Sequence, residues 1–332
     1  MVAPDHQLAG RLPPRWSVEK AKNGRRLRLR GPDGARAELV MEKKRRLEPR
    51  DVAALAARLG GPPPSLIVAP FLSRRTRDLL CQAGLSFIDE TGNVRIALDR
   101  PALFIECSGA ARDPRAESAR PIRSLKGRAA GRVVRALCDF ASPFGIRSLA
   151  ERSASSLGSV ARVVAFLDGE ALLSRDERGR VTAVKWAELL RRWAEDYDVM
   201  RTNETSAWLA PRGLETLLAK LRSAKKAWCL TGSMAAVRKA PVAPARLATL
   251  YVDDPERLAE RLDLRRAEAG ANVVMARPYD SVVFDRTWQE DGLRFAALSQ
   301  VVVDLLTGPG RGPAEAEELL AWMVKHEPLW RA

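Results

Sequence analysis

Histidine is almost missing from this 332-residue chain, which has only His6 and His326. That argues against an imidazole-based zinc site or a Ser-His-Asp relay, so any chemistry would fall to carboxylates and lysines. Cysteine is sparse as well. Cys81, Cys107, Cys138 and Cys229 form no CxxC pair and sit in apolar or helical contexts, as buried thiols of a reducing compartment do. No apolar run approaches the ~20 residues needed to span a bilayer. Met1 to Gly10 also lacks an apolar signal core, so a cytoplasmic protein is expected.

Positive charge is abundant. Lysine and arginine number 56 against 41 acids, a net +15 that favours polyanionic partners. The excess is +8 over residues 1–60, +1 over 61–120, +4 over 121–200 and +2 over 201–332, and it reaches +6 within 121–162. A general preference for arginine accounts for part of this, but the concentration in the N-terminal segment and the middle is a local feature. With 46% hydrophobic and 29% charged residues the chain is ordinary globular protein, and its length calls for two or three domains.

Residues 1–120 alternate strand and helix patterns. Strands are expected at 16–20, 25–30 and 35–43, with a Gly-Pro-Asp-Gly turn at 31–34, and a helix over 47–59 closed by Gly60-Gly61. A strand at 66–69, a helix at 73–83 and strands at 86–89, 93–98 and 102–107 complete an α/β layer. Ser108–Arg120 reads as a linker. A second boundary is expected near Arg201–Ser206, and beyond it α/β or α+β patterning resumes. The helix, strand and terminal-helix expectations there are 212–224, 227–230, 247–252, 255–262, 272–276 and 314–326.

The middle segment carries the sharpest pattern. Gly127–Phe140 reads as a helix with Val133, Val134, Leu137 and Cys138 on one face, and Ile146–Ser153 as a short second helix. After the small turn Ala154-Ser155-Ser156, residues 157–168 form a third helix that buries Val160, Val163, Val164 and Leu167. Two strands, 172–175 and 180–184, flank a turn at 176–179. Two helices, a tight turn, a third helix and a basic hairpin make the plan of a winged helix-turn-helix that grips double-stranded DNA. On that plan Ser156 and Ser159 can bond bases or phosphates, Arg162 is the only long cationic donor on that face, Arg147 and Arg152 lie near the backbone, and Arg175, Arg178 and Arg180 on the wing meet phosphate or minor groove. Winged helices also serve as protein–protein modules.

Two enzyme-like signals flank it. Glu42-Lys43-Lys44 ends an apolar strand in E-x-K and, with Asp33 upstream, is reminiscent of restriction endonucleases, where acids bind magnesium. Asp33, however, sits in a turn, and a surface strand end is the simpler reading. Trp228-Cys229-Leu230-Thr231-Gly232-Ser233 resembles the Gly-Ser opening of nucleotidyltransferase folds. The next strand has Thr249 and Tyr251 where two metal-binding carboxylates would be needed, and Asp253-Asp254 reads as a helix cap.

Ser86-Phe87-Ile88-Asp89-Glu90-Thr91-Gly92-Asn93 resembles the Y-I-D-x-x-G-N signature of the AbiEi-like antitoxin and transcriptional regulator family of type IV toxin–antitoxin systems. Leu66–Pro70, Ser299-Gln300-Val301, Asp304-Leu305 and Gly308–Gly312 extend the resemblance over most of the chain. It implies a DNA-binding winged helix, often autoregulatory, and a nucleotidyltransferase-like C-terminal part. The order departs from the family, since a full domain precedes the winged helix, and a stand-alone transcription factor fits equally well. Turn chemistry around Gly92 explains Asp89 and Asn93 without catalysis.

The expected architecture is therefore α/β and α+β multidomain: an inactive restriction-endonuclease-like domain (1–120), a winged helix-turn-helix (121–200) and an inactive nucleotidyltransferase-like domain (207–332). The expected function is DNA-binding transcriptional regulation with no enzyme activity, metal or cofactor. Partners would be duplex DNA and a cognate toxin, or a second copy held through the C-terminal domain. The alternative is a magnesium-dependent nuclease using the N-terminal domain.

Overall fold

A computed structural model describes residues 4–21, 24–115, 124–224 and 228–332. The second half of the expected linker, and Ala227 at the start of an expected strand, lie outside the described residues. The chain divides into two compact units, residues 1–120 with 169–171 and residues 121–168 with 172–332. Both are mixed α/β, and no described helix is long and apolar enough to cross a membrane.

The first unit opens with helix α1 (Pro4–Ala9) and strands β1 (Ser17–Lys20), β2 (Arg26–Arg30) and β3 (Arg36–Lys43). Helix α2 (Val52–Leu59), β4 (Ser65–Ala69), α3 (Arg74–Gln82), β5 (Ser86–Asp89), β6 (Val94–Leu98) and β7 (Leu103–Cys107) follow. All seven strands pair in sequence order, and β3, β4 and β5 are parallel because α2 and α3 cross between them. Alternation in β2 is clean: Leu27 and Leu29 are buried while Arg26, Arg28 and Arg30 are exposed. The helices cover Ile67 and Phe87 on one sheet face, and Leu8 of α1 joins Leu27, Leu39 and Ile88 on the other.

The second unit begins with three helices, α4 (Arg128–Asp139), α5 (Ile146–Arg152) and α6 (Leu157–Gly169), then strands β8 (Leu173–Arg175) and β9 (Val181–Val184). Next come α7 (Trp186–Ala194), α8 (Val199–Thr202), β10 (Glu204–Leu209), α9 (Gly213–Arg222), β11 (Trp228–Thr231) and α10 (Ser233–Ala236). They are followed by β12 (Ala248–Val252), α11 (Pro255–Leu262), β13 (Arg265–Arg266), β14 (Val273–Arg277), β15 (Trp288–Glu290) and β16 (Leu293–Phe295). Helices α12 (Leu298–Leu306), α13 (Gly312–Lys325) and α14 (Glu327–Trp330) close the chain.

A mixed sheet in the order β13-β10-β14-β12-β11-β16-β15 forms the body of this unit. The stretch expected to be a boundary runs directly into β10, whose Glu204–Trp208 pair with β14. One continuous apolar core joins Val133 and Leu137 of α4, Leu189 and Trp193 of α7, Val301 and Val302 of α12 and Leu250 of β12. Two of the four thiols depart from expectation. Cys138 and Cys229 are buried, and burial pushes both well up, but Cys81 and Cys107 are only half-buried.

Candidate nucleic-acid interface

Four apolar side chains of α6, Val160, Val163, Val164 and Leu167, are buried, which fixes the helix on the core of the second unit and leaves its opposite side in solvent. Its entry is set by Ala154, at φ 45°, a left-handed conformation that costs a residue with a Cβ roughly 1–2 kcal/mol. Ser156 caps the helix, its Oγ accepting the Ser159 amide at 3.2 Å and donating to Ser159 Oγ at 2.9 Å. The Arg162 guanidinium donates to that same Ser159 oxygen at 3.3 Å. The expected reading residues thus form one chain along the exposed side, and the two serines are already engaged in capping.

Arg147 and Arg152 lie exposed on α5. Arg152 stacks on Phe140 with 4.6 Å to the ring centroid, and Arg286, from the segment before β15, stacks on the same ring at 4.6 Å. Strands β8 and β9 make a two-stranded ribbon, and Phe144 joins it at the turn end of β9 through paired bonds with Val181. The Asp176–Gly179 turn closes on Gly179 at φ 78°, and Asp176 accepts the Arg180 amide at 2.8 Å. Arg175 bonds the Gly179 carbonyl at 3.2 Å, while Arg178 and Arg180 extend into solvent. None of these six arginines is ion-paired among the described residues, so their charge is available to an external anion.

A buried polar network, not anticipated from the sequence, anchors α4 and with it the helical set. Arg135 is 1% exposed and donates to Asp139 at 3.0 Å, to Gln300 at 3.2 Å and to the carbonyls of Val282 and Asp285, each at 3.0 Å. Arg132 binds Asp280 at 2.9 Å and reaches the Ala154 carbonyl at 3.1 Å, so it also supports the turn before α6. Behind Gln300, the Asp304 carboxylate accepts from Thr231 at 2.5 Å, Tyr251 at 2.8 Å, Gln300 at 2.8 Å and Tyr197 at 3.0 Å. Burial pushes this carboxyl up to about 6 even though all four donors pull it down. The local clue was the i,i+4 spacing of Arg135 and Asp139 among Val133, Val134, Leu137 and Cys138.

The enzyme-like signals do not assemble. Glu42 pairs with Arg58 at 2.6 Å and Lys44 at 3.1 Å, and the Arg58 hydrogen bond holds its carboxyl below the usual range. Asp33 binds the Ala35 amide in its turn, roughly 20 Å from Glu42 along an extended strand. Among the described residues no three His, Cys, Asp or Glu side chains converge as metal ligands would. Ser233 donates to buried Glu315, and Tyr251 points into the Asp304 network. A cavity of about 370 Å³ beside the Gly232 turn is lined mainly by apolar groups such as Leu230, Met234 and Phe295. Asp254 caps α11 through the Arg257 amide at 3.1 Å, as its sequence position suggested.

Asp89 behaves as turn chemistry requires. Its buried carboxylate accepts from the amides of Leu72, Thr91 and Asn93 at 2.9–3.0 Å and from the Asn93 side chain at 2.8 Å. Asn93 in turn accepts the Gly109 amide at 2.8 Å. A side chain at Gly109 would strike the Thr91 carbonyl, so only glycine permits this approach.

Residues 180–321 match the family model described as transcriptional regulator, AbiEi antitoxin, type IV toxin–antitoxin system. The match takes in β9, the C-terminal sheet and the Ser299–Gly312 segment, and it does not reach Asp89–Asn93, on which the resemblance was first drawn. No curated protein and no solved structure matches the chain.

Proposed function

From the match of residues 180–321 to a type IV antitoxin family, we propose that the chain is a DNA-binding transcriptional regulator. In this reading α4, α5, α6 and the β8–β9 ribbon form a winged helix-turn-helix, with α6 in the major groove and the ribbon on the backbone. One observation carries it. Arg147, Arg152, Arg162, Arg175, Arg178 and Arg180 stand on these elements without an ion pair among the described residues, and α6 keeps a free side. The C-terminal sheet, within the matched segment, is assigned to a cognate toxin or to a second copy. We assign no catalytic role to either unit; the ion-paired Glu42 and the occupied Ser233 support that assignment.

The test is binding to duplexes selected from a random pool, by gel shift at several salt concentrations. Arg162→Ala lowers affinity for the selected site by roughly 1–3 kcal/mol, the worth of one good base contact. Arg178→Ala or Arg180→Ala weakens all sequences alike and lowers the salt slope by about one. If Arg162→Ala binds the selected site as the unaltered protein does, α6 is not the reading helix.

A further inference from the structure

Helical periodicity places Leu157 on the stripe of Val160, Val164 and Leu167, all of which are buried. Leu157 itself is 51% exposed. The difference arises because the first turn of α6 stands clear of the core, with Ser156, Leu157 and Gly158 all exposed. Within that turn the two serine hydroxyls are turned toward each other and toward the cap. Gly158 has no side chain, and the exposed residues of the next turns are Ala161, Arg162 and Ala165. The leading end of α6 therefore offers one long cation and one sizeable apolar group on a surface otherwise small enough for close approach.

We propose that Leu157 is a specificity-determining residue that reads thymine through its C5-methyl group. This rests on α6 being the helix in the major groove. The N-terminal residues of such a helix meet base edges, and the thymine methyl is the apolar feature those edges display. Leu157 cannot satisfy a base donor or acceptor, so a methyl is the partner that compensates for removing its side chain from water. Arg162 lies five residues further on, about 140° around the helix, so the polar contact it supplies, which suits guanine, falls on a different base.

The experiment replaces each thymine of the selected duplex by uracil, which differs only in lacking that methyl, and measures affinity by fluorescence anisotropy. At one thymine the unaltered protein loses roughly fourfold in affinity, equivalent to about 0.8 kcal/mol for one buried methyl. Leu157→Ala starts weaker on the thymine duplex and loses nothing more on the uracil duplex. Because Leu157 is exposed, its thermal melting stays that of the parent. Selected sites without thymine, no uracil effect at any position, or an undiminished uracil effect in Leu157→Ala each overturn the proposal while leaving the helix assignment intact. Failure of the unaltered protein to prefer any sequence overturns the winged-helix reading, and this proposal with it.

Discussion

Replacing Asp304 by asparagine separates the cost of a buried charge from the packing around it. Asp304 is 3% exposed, and burial raises its carboxyl from 3.8 to about 6. Below pH 4 the group is protonated in both folded and unfolded chains, and its contribution to stability is fully present. As pH rises the unfolded chain releases its proton near 4 and the folded chain only near 6, so stability falls across that window and then levels. At ~1.4 kcal/mol per pH unit the fall is on the order of 3 kcal/mol. Asparagine matches the protonated acid in shape and cannot ionise, so Asp304→Asn lacks this component, and other titrating groups cancel in the comparison. Urea unfolding of both proteins, followed by tryptophan fluorescence from pH 4 to 7.5, measures it. The variant's relative stability rises by roughly 2–2.5 kcal/mol between pH 4 and 6.5, the part of the fall that lies in that range, and is nearly flat above. Parallel curves over the whole range would refute the reasoning, because the carboxyl would then titrate as it does in water.

Further outcomes follow from the packing. A methyl at Gly131 would meet Tyr279 Oη and lie 3.4 Å from Trp193. Overpacking of about 1–3 kcal/mol therefore outweighs the ~1 kcal/mol that alanine gains in a helix, and Gly131→Ala lowers the melting temperature. Adding Tyr279→Phe, which removes the hydroxyl, recovers part of the loss; no recovery would place the clash elsewhere. Asp89→Ala strands the buried amides of Leu72 and Asn93 and the half-buried one of Thr91 and costs on the order of 3 kcal/mol by thermal unfolding, and a loss under ~1 kcal/mol would show that the turn holds without it. Purified protein leaves plasmid uncut with magnesium present; cutting that disappears in Glu42→Ala would restore the nuclease alternative.

Local pattern made the helical set legible. Val133, Val134, Leu137 and Cys138 of α4, and the four buried residues of α6, lie where a 3.6-residue period puts them. Asp89 and Gly92 were legible for a similar reason, since their partners are near in sequence. What escaped depends on distant partners. Leu298–Leu306 contains three consecutive valines that favour a strand alone, yet it is a helix buried on nearly all sides. Arg135 would be assigned to solvent by its residue type, and Asp139 together with Gln300 and two distant carbonyls makes its burial tolerable. Leu157 fails in the opposite direction, because periodicity cannot say where the core stops. At the interface, residue type pointed to Ser156 and Ser159, while the cap geometry that occupies them follows from the backbone at Ala154.

The partners of α4 also set a schedule. Arg135 meets Gln300 165 positions later, and Asp139 meets Ser299 160 positions later. At typical synthesis rates that interval lasts on the order of ten seconds. Throughout it the nascent helix carries a guanidinium destined for the interior with most of its acceptors not yet made, and a buried charge without partners costs several kcal/mol. The helices assigned to DNA are thus complete in sequence long before they are stable. A fragment ending near residue 200 is held in that state permanently, and a ribosome-bound chain of that length would be a poor competitor for the finished protein's binding sites.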